Sequence, residues 1–125
     1  MAKHNQTGKI GENLAVQFLE GKGFTTICRN FWKPYGEIDV VSREKSGKYR
    51  FVEVKTVTDV PHGTYRPEEN IHPQKVRRLM RVIEVYLISH GTEVKDWQFD
   101  VVCVYLNQET KAARIKYLED IILGG

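Results

Sequence analysis

The sequence predicts one domain of the α/β or α+β type, in which two helices pack on a mixed β-sheet. Apolar residues recur at helical spacing in two segments, and five other segments have the alternating or continuous apolar pattern of strands. These segments follow the order α-β-β-β-α-β-β, and a central hairpin followed by a crossover helix is typical of a mixed sheet. The 125 residues are enough for one hydrophobic core, so residues 1–125 are predicted to form a single domain.

The first half of the chain is predicted to form a helix and three strands. The helix runs from Lys9 to Glu20, and the glycines that follow it favour a helix C-terminus. The strands are Phe24–Arg29, Glu37–Ser42 and Tyr49–Val57, and the short turn Arg43–Lys48 predicts that the last two form a hairpin. The apolar stripe of the helix consists of Ile10, Leu14, Ala15, Phe18 and Leu19.

The second half is predicted to contain one helix and two strands. The segment Asp59–His72 has two prolines and a glycine and is predicted to be a loop over the functional site. Pro73 opens the helix and Gly91 ends it. The strands are Trp97–Leu106 and Ala112–Leu118, separated by a turn at Asn107–Thr110. The apolar face of the helix is predicted to be Val76, Leu79, Met80, Ile83 and Leu87.

The composition is that of an ordinary globular protein, with 41% hydrophobic and 28% charged residues. The net charge of +3 allows a nucleic-acid partner without arguing for one by itself. No apolar run approaches the roughly 18 residues that span a membrane, and the N-terminus lacks the apolar stretch of a secretory signal. We therefore expect a cytoplasmic protein with no membrane partner.

The two cysteines, Cys28 and Cys103, lie far apart in apolar or β-rich stretches. They are predicted to be buried free thiols within strands. A zinc site would need more ligands at short spacing, and the four histidines do not supply that pattern.

Glu12 is the first polar residue that packing alone does not explain. On a helical projection it lies between Val16 and Leu19, inside the apolar arc, whereas the other polar residues cluster elsewhere. A carboxylate on a core-facing side is costly unless it is paired, protonated or bound to a metal ion. The alternative is a glutamate at the rim that reaches solvent or lies near the positive end of the helix dipole.

The second strand carries two acidic residues, Glu37 and Asp39. Because side chains alternate along a strand, these two are predicted to share one face, with Ile38 and Val40 on the other. Two carboxylates on one face repel each other unless a positive group lies beside them. A solvent-facing edge strand is the alternative interpretation.

The third strand places Glu53 and Lys55 on one face. The predicted hairpin pairs this strand with the one that carries Asp39. Asp39 and Glu53 are therefore expected to converge at neighbouring strand positions. The alternative is a solvent-facing alternation of Glu and Lys.

Two carboxylates beside a lysine suit the hydrolysis of a phosphodiester. Mg²⁺ prefers oxygen ligands and commonly takes one or two carboxylates together with water and phosphate oxygens. Asp39 and Glu53, with a backbone carbonyl near Val54, are predicted to bind Mg²⁺ or Mn²⁺. Lys55 is predicted to hold or deprotonate the attacking water, or to stabilise charge that develops on the phosphate.

At these residues the chain resembles the YraN-like family of small bacterial proteins, within the PD-(D/E)XK nuclease superfamily. The matching motifs occur in order over nearly the whole chain. They are Gly11-Glu12-Asn13-Leu14-Ala15, Arg29-Asn30-Phe31-Trp32, Gly36-Glu37-Ile38-Asp39-Val40-Val41, Phe51-Val52-Glu53-Val54-Lys55-Thr56, Pro73-Gln74-Lys75 and Gln98-Phe99-Asp100-Val101-Val102.

The resemblance implies a restriction-endonuclease-like αβββαβ core of the α/β class, as in Holliday-junction resolvases. It also implies that Glu12, Asp39, Glu53 and Lys55 form the catalytic site, with Glu12 as a further metal ligand. The proline of the superfamily motif is Ile38 here, and that position does not bind the metal. Resolvase relatives act as dimers, so a homodimer is an open alternative to a monomer.

Two segments are candidates for contact with nucleic acid. In the second helix, Arg77 and Arg81 project away from the apolar face and could meet phosphate. Lys75 projects on the flank of the packed face, from which it could point toward the site instead. Between the first two strands, Arg29, Trp32 and Lys33 belong to a run of basic and aromatic residues that could stack on unpaired bases. A solvated charged helix face and an aromatic loop are the alternatives.

The leading hypothesis is therefore a Mg²⁺- or Mn²⁺-dependent endonuclease acting on DNA, with branched and flapped DNA as candidate substrates. A non-catalytic nucleic-acid-binding module with the same fold is the alternative, and it predicts salt-sensitive binding without cleavage. A structural subunit that docks on another protein would instead present a large exposed apolar patch.

Overall fold

The computed structural model describes residues 3–59 and 72–121, with side chains from residue 6 onward. Five strands form one sheet in the order β1-β2-β3-β4-β5, in which β3 and β4 are parallel and the other neighbours are antiparallel. The predicted element order and the mixed α/β sheet are confirmed. The elements are α1 (Lys3–Gly21), β1 (Thr25–Lys33), β2 (Gly36–Arg43), β3 (Tyr49–Thr58), α2 (Pro73–His90), β4 (Trp97–Leu106) and β5 (Ala113–Leu118).

Each face of the sheet is covered by one helix, so the protein has two hydrophobic clusters. Phe51 of β3 belongs to the cluster under α2, and its neighbour Val52 belongs to the cluster under α1. This opposition follows from the alternation of side chains along a strand. The helix residues buried in the clusters are Leu79, Val82, Ile83 and Tyr86 from α2, and Ala15, Val16 and Leu19 from α1.

Both helices are rotated slightly from their predicted apolar faces. In α2, Tyr86 is buried and its ring packs edge-on against Phe31 and Phe51, whereas Met80 is only half-buried. In α1, Ile10 was expected in the apolar stripe but is 44% exposed. The neighbouring Gly11 explains this, because a Cβ there would overlap the side chain of Thr56, so the helix backbone lies directly on β3. Neither helix, within the described residues, is long and apolar enough to cross a membrane.

The first strand is longer than predicted. It was expected to end at Arg29, with a basic and aromatic loop after it, but β1 continues to Lys33. β1 pairs with β2 as far as Lys33 and Gly36, so only Pro34 and Tyr35 connect the two strands. The segment predicted as an aromatic loop is thus mostly a strand. The other predicted loop, Asp59–His72, lies almost wholly outside the described residues, at 60–71.

A buried polar network joins the start of β3 to β4 and β5. The carboxylate of Asp100 is fully buried, and it accepts hydrogen bonds from Arg50 (3.2 Å), Gln98 (2.7 Å), the phenol of Tyr117 and the backbone N–H of Asp120 (2.8 Å). Burial, followed by the bond to Asp100, raises the pKa of Tyr117. Tyr117 lies in β5 and Asp120 follows that strand, whereas Arg50 and Gln98 belong to β3 and β4. The carboxylate of Asp100 therefore fixes the C-terminal strand to the rest of the sheet.

The two cysteines are free thiols in strands, as predicted. Cys103 is buried and Cys28 is half-buried. Burial raises the pKa of Cys28, which disfavours its reactive thiolate.

Candidate functional site

An open cleft of about 1130 Å³ lies between the first half of α1 and the strands β1, β2 and β3. It brings together residues as far apart in the sequence as Thr7 and Gln108. The charged residues that line it are Lys9, Glu12, Arg29, Glu37, Asp39 and Lys55. Three of the four predicted catalytic residues therefore face one cavity, and the fourth, Glu53, lies on the same strand as Lys55.

Asp39 lies where β2 and β3 separate. The pairing of these strands extends from Arg43 to Val40, opposite Val52, and the carboxylate of Asp39 then accepts the backbone N–H of Val54 at 2.7 Å. The predicted alternation along β2 is wrong at this point, because Ile38 packs under α2 while Val40 packs under α1. The side chain of Asp39 accepts the Val54 N–H at the same point of the strand.

The electrostatic environment of Asp39 disfavours its charged form. The pKa of Asp39 is raised from 3.8 to about 7: burial is the main cause, the nearby carboxylates of Glu37, Glu53 and Glu12 add to it, and the hydrogen bond from Val54 opposes it. Within the described part of the chain, no cationic side chain forms a salt bridge with Asp39. The cleft therefore holds a half-buried carboxylate among other acids, an arrangement that a bound cation would stabilise.

This environment predicts that Asp39→Asn stabilises the metal-free protein at pH 8. The native state binds more protons than the unfolded state between about pH 4 and pH 7, so the contribution of Asp39 to stability falls as the pH rises through this range. The gain at pH 8 should be roughly 2 to 4 kcal/mol and should nearly vanish by pH 4. Urea unfolding in EDTA measures both values. The exposed Glu84→Gln is the control, and a destabilised Asp39→Asn variant at pH 8 would contradict the assignment.

Glu53 has a cationic partner that the sequence did not assign to it. Its carboxylate forms an ion pair with Lys75 from the first turn of α2. Lys55, two residues along β3, instead lines the cleft. The side chains of Lys75 and Glu53 are 35% and 17% exposed, so the pair is partly buried rather than in bulk solvent.

Glu12 points inward, as predicted, with a side chain that is 15% exposed. Arg29 donates to it through Nε at 3.0 Å, and Asn30 donates through Nδ2 at 3.0 Å. The adjacent polar residues Arg29 and Asn30 are visible in the sequence. They could be assigned as partners of Glu12 only by knowing that β1 continues past Arg29.

The other residues predicted to contact nucleic acid lie outside the cleft lining. Trp32 is 65% exposed near the end of β1, and the ammonium of Lys33 lies 5.3 Å from the ring centre of Phe31. Arg77 is exposed on α2, and the guanidinium of Arg81 stacks over the ring of Tyr35 at 4.1 Å. Lys75 is committed to Glu53 rather than to the solvated face of the helix.

The donor set fits a divalent metal ion held by two carboxylates. Within residues 3–59 and 72–121, no group of three or more His, Cys, Asp or Glu side chains is arranged to hold an ion. Mg²⁺ usually keeps several waters and takes only one or two protein carboxylates. Asp39 and Glu53, with the carbonyl of Val54, are hard oxygen donors of this kind, and a cation there would offset the burial and the neighbouring carboxylates that raise the pKa of Asp39.

Comparison with known proteins shows the family. The model of uncharacterised protein family UPF0102 matches residues 11–104. A UPF0102 protein of Flavobacterium psychrophilum is 34% identical over 120 residues, covering 96% of each chain. One from Dictyoglomus turgidum is 31% identical over 92% of this chain and 95% of its own, and one from Dehalococcoides mccartyi is 38% identical over 82% and 83%. The chain therefore belongs to the UPF0102 family, which is the YraN-like family that its sequence resembles.

Proposed function

We propose that this protein is a Mg²⁺- or Mn²⁺-dependent endonuclease that hydrolyses phosphodiester bonds in DNA, with branched or flapped DNA as candidate substrates. The observation that carries the proposal is Asp39, a half-buried carboxylate whose pKa is raised to about 7 in a cleft shared with Lys55. Raised carboxylate pKa values beside a cationic group in a cleft are typical of functional sites.

Each site residue has a distinct role in this proposal. Asp39 and Glu53, with the carbonyl of Val54, would hold the ion, which when bound supplies an acidic water and neutralises phosphate charge. Lys55 would orient the attacking water or stabilise the charge that develops on the phosphate. The backbone N–H of Val54 also donates to the carboxylate of Asp39. The residue whose carbonyl would bind the ion therefore also holds this carboxylate at the point where β2 and β3 separate.

The direct test is a cleavage panel with supercoiled, linear, flapped and four-way-junction DNA, each with Mg²⁺ and with Mn²⁺. We expect the wild type to cut at least one substrate and the Glu53→Ala variant to cut none. Light scattering on the same samples tests the homodimer. No product from any substrate with either ion would contradict the endonuclease.

The second candidate function is a non-catalytic nucleic-acid-binding module. The paired state of Glu12 and Glu53 favours it, since Arg29, Asn30 and Lys75 already satisfy these two carboxylates within the protein. This function predicts DNA binding that weakens steeply with salt and produces no cleavage.

The ion pair between Lys75 and Glu53 makes a prediction about metal affinity. A cation that binds Glu53 must displace the ammonium of Lys75, so Lys75→Met is expected to tighten Mn²⁺ binding about two- to tenfold. Titration calorimetry with Mn²⁺ alone measures the change. The control is Arg77→Met, which removes an equal charge from the exposed side of the same helix. Unchanged or weaker Mn²⁺ binding in Lys75→Met would remove Glu53 from the metal site.

A further inference from the structure

The carboxylate of Glu12 is held by two consecutive residues of β1. Its Oε1 accepts Nε of Arg29 at 3.0 Å and lies 2.9 Å from Nη2 of the same residue, while Oε2 accepts Nδ2 of Asn30 at 3.0 Å. Nη2 of Arg29 also donates to Oδ1 of Asn13 at 2.7 Å. Two adjacent residues of α1, Glu12 and Asn13, therefore hold the Nε and Nη2 groups of the Arg29 guanidinium in place.

Asn30, which donates to Glu12, has a strained backbone conformation. Its φ is 54°, a left-handed conformation that residues other than glycine rarely adopt and that asparagine tolerates best. Asn30 lies between Arg29, which pairs with Val40, and Phe31, which pairs with Ile38, and is therefore across the strand from Asp39. Strain of this kind persists where the surroundings hold it in place, and it clusters at functional sites.

The remaining nitrogen of the Arg29 guanidinium, Nη1, takes no part in these contacts. Among the residues that the structure describes, none accepts a hydrogen bond from Nη1. The side chain is 35% exposed and lines the same cleft as Asp39 and Lys55. With Nε and Nη2 occupied by Glu12 and Asn13, Nη1 keeps its charged N–H donors, which suit the oxygens of a phosphate.

We propose that Arg29 binds a backbone phosphate of the nucleic acid in the cleft, and that Glu12 is a positioning residue that acts through Arg29 rather than a metal ligand. This inference rests on the proposed function, since it takes a phosphodiester as the ligand. It assigns these acids to two tasks: Asp39 and Glu53 would hold the metal ion, and Glu12 orients the group that holds the substrate.

The sign of one mutational effect separates positioning from simple charge. Glu12→Gln removes a negative charge from the cleft, so electrostatics alone would strengthen the binding of a phosphate. If Glu12 orients Arg29, the same variant weakens binding, because the guanidinium loses its ionic anchor. The probe is a fluorescein-labelled flapped DNA duplex with Ca²⁺, an ion of the same charge that also binds oxygen ligands, and the readout is fluorescence anisotropy over a series of salt concentrations.

We expect Arg29→Ala to weaken binding about five- to thirtyfold and to reduce the slope of log K against log salt by about 0.9, which corresponds to one phosphate contact. Glu12→Gln should weaken binding about three- to tenfold, and the Glu12→Gln/Arg29→Ala double variant should bind no more weakly than Arg29→Ala, because coupled residues are not additive. Tighter binding by Glu12→Gln, or additive losses in the double variant, would overturn the inference.

The second measurement is Mn²⁺ affinity by calorimetry without DNA. Glu12→Gln should leave it within about twofold, whereas the loss of a ligand, or of a group that orients one, typically costs ten- to a hundredfold. A loss of tenfold or more would make Glu12 a ligand and overturn the inference, even if the protein is a nuclease.

Folding is checked by thermal unfolding of each variant. The exposed Asn13→Ala keeps Glu12 and removes only the second tie to Arg29, so it should weaken DNA binding about two- to threefold without altering Mn²⁺ binding. Unchanged DNA binding by Asn13→Ala would count against the positioning of Arg29 from α1. If the wild type binds neither this duplex nor the other DNA substrates of the cleavage panel, the proposed function fails as well. If it binds and cleaves DNA while Glu12→Gln binds more tightly, only the present inference fails.

Discussion

Lys55→Ala is expected to lower the rate of metal-dependent DNA cleavage by about 10²- to 10⁴-fold, the range found when a positioned acid, base or charge-stabilising group is removed. Lys55 lines the cleft beside Asp39, at the part of β3 that follows the Val54 N–H bound by the carboxylate. The measurement is the single-turnover cleavage rate on the best substrate of the panel. Lys45→Ala is the matched control, since Lys45 is an exposed lysine in the turn at the other end of the β2–β3 hairpin.

The same experiment distinguishes Lys55 from Glu53. Lys55→Ala should retain Mn²⁺ affinity within a few-fold and lose rate, because an ammonium group does not bind the metal. Glu53→Ala should lose both, because a carboxylate that binds the ion is missing. If Lys55→Ala and Lys45→Ala slow cleavage equally, the effect comes from net charge, and Lys55 has no specific role in the reaction.

Asp100→Ala is expected to destabilise the protein by about 3 to 5 kcal/mol, the usual cost of removing one partner from a buried charged pair. The side chain of Arg50 is 11% exposed and would lose its buried partner, although Glu44 and Glu119 would still contact it at 2.8 Å and 2.6 Å. The amide of Gln98 and the phenol of Tyr117 would each lose their acceptor. This cost is a large part of the stability of an ordinary domain.

Urea unfolding followed by tryptophan fluorescence measures the loss for Asp100→Ala. Asp96→Ala is the control, because Asp96 is 69% exposed and its contact with Lys48 is 3.8 Å long. The control should change stability by less than about 1 kcal/mol. A loss of that small size in Asp100→Ala would mean that water replaces the carboxylate and that the network does not hold β5 on the sheet.

The elements and the acidic residues were predictable from local pattern. Helix α2 and strand β4 have strong periodicity or continuous apolar character, and their bounds agree with the prediction. Glu12 was predictable because a carboxylate inside an apolar arc is visible on a projection of one helix. For the hairpin, the short turn between β2 and β3 was enough to bring Asp39 and Glu53 onto neighbouring strands.

The partners of these acids were not predictable in the same way. The length of β1 depends on its pairing with β2, and only that pairing turns Arg29 and Asn30 toward Glu12. The ion pair of Lys75 with Glu53 depends on how α2 docks on the sheet. The separation of β2 from β3 at Asp39 likewise could not be predicted from the alternation of residues along the strand.

The sequence by itself therefore determined the order of elements, the α/β class and the family, and it singled out the acids and Lys55 as candidate site residues. Tertiary structure alone decided which cation each acid meets, that Asp39 meets none among the described residues, and that its pKa rises to about 7. The physical reason is the range of the interactions. Hydrophobic periodicity is a property of neighbouring residues, whereas burial and Coulomb interactions depend on groups that the chain brings together from distant positions.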